Sequence, residues 1–259
     1  MDVSLLVLAV VEGLTEFLPI SSTAHLILAS KWLAIDLADP YIKFYLLFIQ
    51  LGALIAGVLL FTKRIFSDRS LIINLIASFV PTAGIGYAGY KVFKHLLEGN
   101  LVLMAFMLAL GGLIFIYLEK VFMPRMVAIS DGGKDALSLS DAVVVGVAQA
   151  IAIIPGVSRS GITIITGILL GVKKAVIVEY TFLLALPTLG AAVAYDTFKS
   201  RHELLALSSY VDLMAGFVVA AVVGFITLWL LRTYLHRMSL SAFGYYRIIL
   251  AVVIVIVLL

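Results

Sequence analysis

Long apolar segments separated by short charged ones run the length of the chain. Six of them are long enough to cross about 30 Å of bilayer hydrocarbon as helices: residues 42–61, 71–90, 101–118, 175–198, 211–231 and 245–259. The pattern predicts an all-α integral membrane protein with about six transmembrane helices.

Two further apolar segments, 5–32 and 142–172, are each interrupted near the middle by a proline and a serine-rich turn. Proline removes a backbone donor and disfavours helix in the residue before it. Pro19 and Pro155 therefore predict that each segment forms a re-entrant helix-loop-helix hairpin. Such a hairpin is tolerated only where its broken backbone is buried in protein or lines a wet cavity.

The two halves of the chain resemble each other in the same order. Residues 12–19 are similar to 149–155, residues 52–64 to 161–174, and residues 81–84 to 187–190. These matches predict a single membrane domain, 1–259, built from one repeat of about 1–125 and a second of about 140–259. Each repeat has one hairpin and three crossings. Because three is an odd number, the chain ends the first repeat on the opposite side of the membrane, and the second repeat is inserted upside down relative to the first. Inverted repeats bring their broken helices together near the bilayer midplane.

Composition agrees with a chain that lies almost entirely in lipid. Hydrophobic residues make up 63% and charged residues only 13%, whereas soluble domains are about a quarter charged. The absence of cysteine excludes disulfides, thiolate nucleophiles and cysteine metal ligands. The net charge of +3 is spread over short loops, so no nucleic-acid partner is expected.

Lysine and arginine are distributed unequally between alternate loops. With both termini outside, the 18 Lys and Arg residues, leaving aside Arg159 and Arg247, divide as ten on cytoplasmic loops and six on outer ones. Cytoplasmic loops carry the excess of positive charge in membrane proteins. The count predicts this orientation.

Two glutamates lie on one face of the first half-helix. Glu12 and Glu16 are four residues apart, one turn from each other. Ionisable groups at hydrocarbon depth usually face a cavity, and a close carboxylate pair either shares a proton or holds a cation. The alternative is that Glu12 reaches the interface and Glu16 caps a backbone donor.

Hydroxyl groups and an imidazole follow the first break, at Ser21, Ser22, Thr23 and His25. A serine or threonine here can cap the second half-helix and leave its first N–H groups as an anion site. His25 is a candidate nucleophile or general acid/base. The alternative for His25 is a hydrogen-bonded packing residue.

The second break is followed by an arginine. An arginine at membrane depth needs an anionic partner, and its planar fork suits phosphate oxygens. Arg159 lies among Ser158, Ser160, Gly161 and Thr163, where glycine permits a turn and the hydroxyls surround a helix start. The alternative is a structural ion pair between Arg159 and Glu12 or Glu16.

Together, the two breaks supply the groups of a phosphate-handling site. The carboxylates would hold a hard divalent cation, Mg²⁺ or Ca²⁺, which with Arg159 would stabilise charge on transferring phosphoryl oxygens. Because no soluble domain accompanies the site, the substrate is expected to be a lipid.

At these residues the sequence resembles the undecaprenyl-pyrophosphate phosphatase family of the bacitracin-resistance type. The motifs that carry the resemblance are E-G-L-T-E-F-L-P-I-S-S-T-A-H at 12–25 and P-G-V-S-R-S-G-I-T at 155–163. Ala24 departs from the glycine common in the first motif, and alanine fits a helix at least as well.

The resemblance implies hydrolysis of undecaprenyl pyrophosphate to undecaprenyl phosphate and inorganic phosphate at the outer face of the plasma membrane. This reaction recycles the lipid carrier for cell-wall synthesis. It also gives tolerance to bacitracin, which competes indirectly by binding the substrate. A homodimer is one of the assemblies that the sequence leaves open.

The resemblance also implies roles for the motif residues. Glu12 and Glu16 would hold the metal, and Arg159 with the 158–163 backbone would bind pyrophosphate. The nucleophile is either His25 or Ser22 activated by His25, and the sequence does not choose between them. Ser21, Thr23, Ser158, Ser160, Gly161 and Thr163 are the remaining candidate substrate-binding residues.

Other classes of membrane protein share parts of this pattern. Inverted repeats with broken helices also build secondary transporters, so a transporter or lipid flippase without hydrolytic activity is the main alternative. A phosphatase that also flips lipid stays open. Zinc hydrolysis is disfavoured because the H-E-x-x-H motif is absent.

Overall fold

The computed structural model describes residues 2–97, 100–125, 133–199, 210–234 and 239–258. Across these residues the fold is all-α, with no β-strand, which confirms the predicted fold class. The ten described α-helices are α1 Val3–Thr15, α2 Ser22–Trp32, α3 Pro40–Ser67, α4 Arg69–Leu97, α5 Leu101–Tyr117, α6 Leu139–Gln149, α7 Arg159–Leu169, α8 Lys174–Lys199, α9 Tyr210–Tyr234 and α10 Leu240–Leu258.

Six of the helices are long and apolar enough to cross a membrane. The spans are Pro40–Ser67, Arg69–Gly89, Leu101–Arg125, Lys174–Tyr195, Tyr210–Tyr234 and Leu240–Leu258. Each matches one predicted segment, and their large apolar side chains cover the outside of the bundle. The protein is therefore a multi-pass membrane protein.

Polar residues cap the starts of two of the long helices. α3 begins at Pro40, whose missing N–H costs nothing in the first turn, and Asp39 accepts hydrogen bonds from the next two backbone N–H groups. Asn100 caps α5 in the same way, accepting from the Leu103 N–H at 2.9 Å. Hydropathy alone does not detect such caps.

The short helices occur in pairs, one on each side of a break. α1 ends at Thr15 and α2 begins at Ser22, while α6 continues into a 3₁₀ turn, Ala150–Ile153, before α7 begins at Arg159. Ser21 and Ser158 precede α2 and α7 with φ of 72° and 60°, a left-handed conformation in both. The matching backbone agrees with the predicted pair of hairpins. Their re-entrant course and the inversion of the repeats stay predictions.

Equivalent helices of the two halves pack in equivalent ways. α1 packs against α9 and α6 against α4, while α2 contacts α10 and α7 contacts α5. Glycine allows the first two approaches: a Cβ on Gly13 would lie 2.9 Å from the Ala220 carbonyl oxygen of α9, and one on Gly146 would overlap the Ser78 backbone of α4. Both broken helix pairs are thus held against the spans of the bundle.

We expect Gly146→Ala to destabilise the protein by about 1–3 kcal/mol, since the added methyl overlaps backbone that cannot rotate away. Gly84→Ala is the matched control, because a Cβ on this helical glycine of α4 meets nothing within 4 Å. Thermal unfolding in detergent measures both variants. Equal unfolding temperatures for the two variants would contradict the close α4–α6 packing.

Candidate active site

A polar cavity of about 350 Å³ lies where the two breaks meet. Both turns and the starts of α2 and α7 contribute to its wall, and α3, α4 and α8 complete it. Of the predicted site residues, seven line it: Glu16, Ser21, Ser22, Thr23, Ser158, Arg159 and Ser160. The structure therefore brings together most of the residues that the two motifs supply.

Glu16 connects the two motifs. Its Oε2 accepts a hydrogen bond from the Ser22 hydroxyl at 2.6 Å, and its Oε1 lies 3.4 Å from Nη2 of Arg159. The side chains of Glu16 and Arg159 are only 4% and 13% exposed, so this pair is weakly screened by solvent. The alternative of an ion pair is thus realised with Glu16, but the pair forms part of the cavity wall.

Arg159 keeps hydrogen-bonding capacity beyond this pair. Nη1 donates to the Thr181 carbonyl at 3.3 Å, and Nε has no partner in the described part of the chain. An unpaired buried donor is costly. A phosphate oxygen in the cavity would be a suitable partner for this guanidinium.

The second turn is shaped by a glycine and two serines. Gly156 has φ of +88°, and a Cβ there would overlap the Met104 carbonyl of α5. Ser158 caps α7 by accepting from the Gly161 N–H at 3.3 Å. Ser160 donates to the Leu18 carbonyl of the first turn at 3.0 Å. The second turn is thus tied directly to the first.

Two predicted residues of the second motif lie behind the cavity wall. Thr163 is fully buried and its hydroxyl lies 2.8 Å from that of Thr181, which joins α7 to α8. Gly161 is also buried, and a Cβ there would lie 3.3 Å from Nη1 of Arg247. Neither residue lines the cavity.

Glu12 lies apart from the main cavity. It lines an adjoining cavity of about 320 Å³, which shares Ser22, Thr23 and Gln50 with the first. Glu12 is 1% exposed, and neither carboxylate oxygen has a hydrogen-bond partner among the described residues. A buried carboxylate without a partner is strongly unfavourable, so a cation or a shared proton fits this position.

His25 faces away from the cavity. Its Nδ1 lies 2.8 Å from the Ser21 carbonyl, and its Nε2 lies 2.7 Å from the Tyr246 hydroxyl, on whose ring it also stacks. Because a carbonyl only accepts, Nδ1 donates to Ser21, and in a neutral imidazole Nε2 then accepts from Tyr246. The structure therefore pairs the Ser22 hydroxyl with Glu16, and His25 makes no hydrogen bond to Ser22.

Several cavity residues are absent from the sequence prediction. Thr82 and Thr188 line it from α4 and α8, and Gln149 donates to the Thr82 hydroxyl at 3.1 Å. The similarity of residues 81–84 to 187–190 was a usable signal, since both threonines follow a proline at matching positions of the repeats. Gln50, which lines the cavity from α3, lies outside the matching stretches of the two halves.

The fold and the cavity define a helical membrane protein whose two broken helix pairs surround a buried site suited to phosphate. The chain belongs to the bacitracin resistance protein BacA family, whose model matches residues 5–253.

Full-length relatives agree with this assignment. The chain is 40% identical to an undecaprenyl-diphosphatase of Wolinella succinogenes over 96% of this chain and 94% of that protein. It is 40% identical to one of Aquifex aeolicus, covering 95% and 94%. It is 41% identical to one of Persephonella marina, again covering 95% and 94%.

Proposed function

We propose that the protein hydrolyses undecaprenyl pyrophosphate to undecaprenyl phosphate and inorganic phosphate. The observation that carries the proposal is the contact of Glu16 with both Ser22 and Arg159 in a polar cavity between the two breaks. Family membership and the names of the relatives support the substrate. The product is the lipid carrier that cell-wall synthesis reuses, and bacitracin would compete by binding the substrate.

The geometry supports Ser22 as the nucleophile. Ser22 Oγ would attack the terminal phosphorus while its proton passes to Glu16 Oε2, 2.6 Å away. The bond from that phosphorus to the bridging oxygen breaks, and undecaprenyl phosphate leaves. Water then attacks the phosphoserine and gives one proton to Glu16, while the proton already held by Glu16 returns to the Ser22 oxygen as the bond from that oxygen to phosphorus breaks. Inorganic phosphate keeps the other proton of the water, and Glu16 finally loses its proton to solvent.

The remaining site residues would bind and orient the pyrophosphate. The Arg159 guanidinium stabilises charge on the transferring oxygens, and Ser21, Thr23 and Ser158 offer hydroxyl donors around the cavity. The Ser160 hydroxyl already donates to Leu18, so Ser160 would fix the binding turn in place. His25 is less suited to attack, because both of its ring nitrogens already have partners. We assign it to holding the start of α2 in place.

Glu12 and Glu16 fit a hard divalent cation, Mg²⁺ or Ca²⁺. Glu12 lines a cavity that adjoins the one containing Glu16, and both of its carboxylate oxygens are buried without a partner among the described residues. When bound, such an ion would neutralise charge on the pyrophosphate. The described residues contain no cluster of three or more His, Asp and Glu side chains, so substrate and hydroxyl oxygens would complete its ligands.

We place the protein in the plasma membrane with the cavity opening to its outer side. Ion pairs show that several cationic helix ends meet at one face of the bundle: Arg64 with Glu179 at 3.4 Å, and Lys174 with Glu119 at 3.6 Å. An excess of such residues marks the cytoplasmic face. A homodimer stays one of the assemblies that the sequence leaves open.

A lipid flippase or transporter without hydrolytic activity is the second candidate. It is favoured by two broken helix pairs that face one cavity, an arrangement found in secondary carriers. Phosphate release by detergent-purified protein separates the two, since a pure carrier releases none.

Purified protein should release phosphate from undecaprenyl pyrophosphate, and Arg159→Ala should lower kcat by about 10²–10³-fold, as loss of a transition-state donor does. Arg64→Ala is the matched control, because Arg64 is exposed at a helix end and pairs with Glu179. A folded Arg159→Ala protein whose kcat equals that of Arg64→Ala would contradict the proposed role of Arg159.

We expect Ser22→Ala to abolish turnover and His25→Ala to leave measurable activity, since Ser22 contacts Glu16 and not the imidazole. Brief reaction with substrate radiolabelled in its terminal phosphate should label Ser22. Ser30→Ala is the control, because this buried hydroxyl of the same helix has no partner among the described residues. Label recovered on histidine would assign the attack to His25 instead.

Removal of divalent metal with a chelator should stop phosphate release, and Glu12→Gln should raise the Mg²⁺ concentration needed for half-maximal activity. Loss of one carboxylate ligand weakens binding of a hard cation. Glu179→Gln provides the control, as this carboxylate pairs with Arg64. Unchanged metal dependence in Glu12→Gln would argue against a metal at Glu12.

A further inference from the structure

Arg247 is the largest fully buried side chain of the described structure and lies within the apolar span α10. Within the described part of the chain, every hydrogen-bond acceptor of its guanidinium is a backbone carbonyl. A charge buried in this way is expensive and usually marks function. Arg247 has no role in the proposed hydrolysis as described so far.

The guanidinium reaches both breaks at once. Nη1 donates to the Pro19 carbonyl of the first turn at 3.1 Å, while Nη2 donates to the Gly156 carbonyl of the second at 2.9 Å. The Val157 carbonyl lies 3.4 Å from Nη2. On the side of α5, Nε donates to the Leu108 carbonyl at 3.3 Å, and the ring of Phe115 lies 5.9 Å away. Arg247 thus joins two turns that are far apart in the sequence. Counted from Pro19, the second turn lies 136 residues further along at Pro155 and 138 residues further along at Val157.

A glycine of α5 makes room for this arrangement. A Cβ on Gly111 would overlap Nη2 of Arg247, so any larger residue there would displace the guanidinium. A planar fork with five donors suits several carbonyls in different directions, whereas lysine offers one compact charge. The site around Arg247 is therefore specific for arginine.

The direction of the bound carbonyls has a consequence for anion binding. In a trans peptide the C=O and the next N–H point in opposite directions. With the Val157 carbonyl turned towards Arg247, the N–H of Ser158 points away from it, and Ser158 lines the cavity. Carbonyl oxygens turned into the cavity would instead repel phosphate.

We propose that Arg247 is a positioning residue for phosphoryl transfer. Its guanidinium holds the carbonyls of both turns away from the cavity and keeps Ser22 and Glu16 in register with Arg159. It touches no reacting atom and does not line the cavity. The proposal rests on the proposed hydrolysis for its kinetic test, and on pyrophosphate binding for a test that does not need turnover.

Arg247→Lys and Gly111→Ala test the proposal from two directions, one replacing the fork and one displacing it. Three quantities are measured in detergent: kcat for undecaprenyl pyrophosphate per folded molecule, the Kd of inorganic pyrophosphate, and the unfolding temperature. We expect kcat to fall by about 100-fold, as a misplacement of about 1 Å can cause. The Kd should rise, while the unfolding temperature of Arg247→Lys stays close to that of the unaltered protein.

Tyr245→Phe is the matched control on the same helix, because the Tyr245 hydroxyl bonds only the exposed Lys120 in the described structure. If Arg247→Lys has the same kcat and the same pyrophosphate Kd as Tyr245→Phe, the proposal is wrong. It is also wrong if the Arg247→Lys protein fails to fold, since Arg247 would then serve folding alone. If the unaltered protein releases no phosphate but the Kd still rises in Arg247→Lys, the hydrolysis fails and the positioning role stands.

Discussion

Backbone groups freed by a break in a membrane helix must find partners inside the protein, because lipid offers none. Here side chains of the protein supply hydrogen-bond donors to backbone carbonyls at both breaks. Ser160 of the second turn donates to the Leu18 carbonyl of the first, and Arg247 donates to carbonyls of both. The site depends on this constraint, since the same contacts that satisfy the broken backbone also bring the two motifs together.

The meeting of the breaks also solves the problem of burying charge. Arg159 and Glu16 come from different halves of the chain, and each would be unfavourable in hydrocarbon alone. Their side chains lie 3.4 Å apart in the wall of the cavity, where each is the ionic partner of the other. Glu12 has no such partner in the described structure and faces a separate cavity. Two carboxylates one helical turn apart therefore have different environments, and of the two only Glu16 contacts Ser22 and Arg159 in the described structure.

Most of the fold was predictable from local signals. Apolar length located all six spans, and the two prolines located both breaks, because each signal reflects how a few neighbouring residues meet lipid or form helix. Hydropathy placed the start of α5 correctly at Leu101 but missed the start of α3 at Pro40, which Asp39 caps. The predicted site residues were mostly brought to one cavity, but Thr163 and Gly161 lie behind its wall, and Thr82, Thr188, Gln149 and Gln50 had to be added.

The sequence by itself determined the all-α class, the positions of the spans and breaks, and the chemical groups available at each break. Only the tertiary structure decided which groups meet. Ser22 hydrogen-bonds Glu16, His25 turns to Tyr246, and Arg247 reaches Pro19 across 228 residues. Periodicity and proline report on near neighbours, whereas these partners are set by how α10 packs against the two broken helix pairs. For that reason the choice between Ser22 and His25 was open in the sequence and acquires a physical basis in the fold.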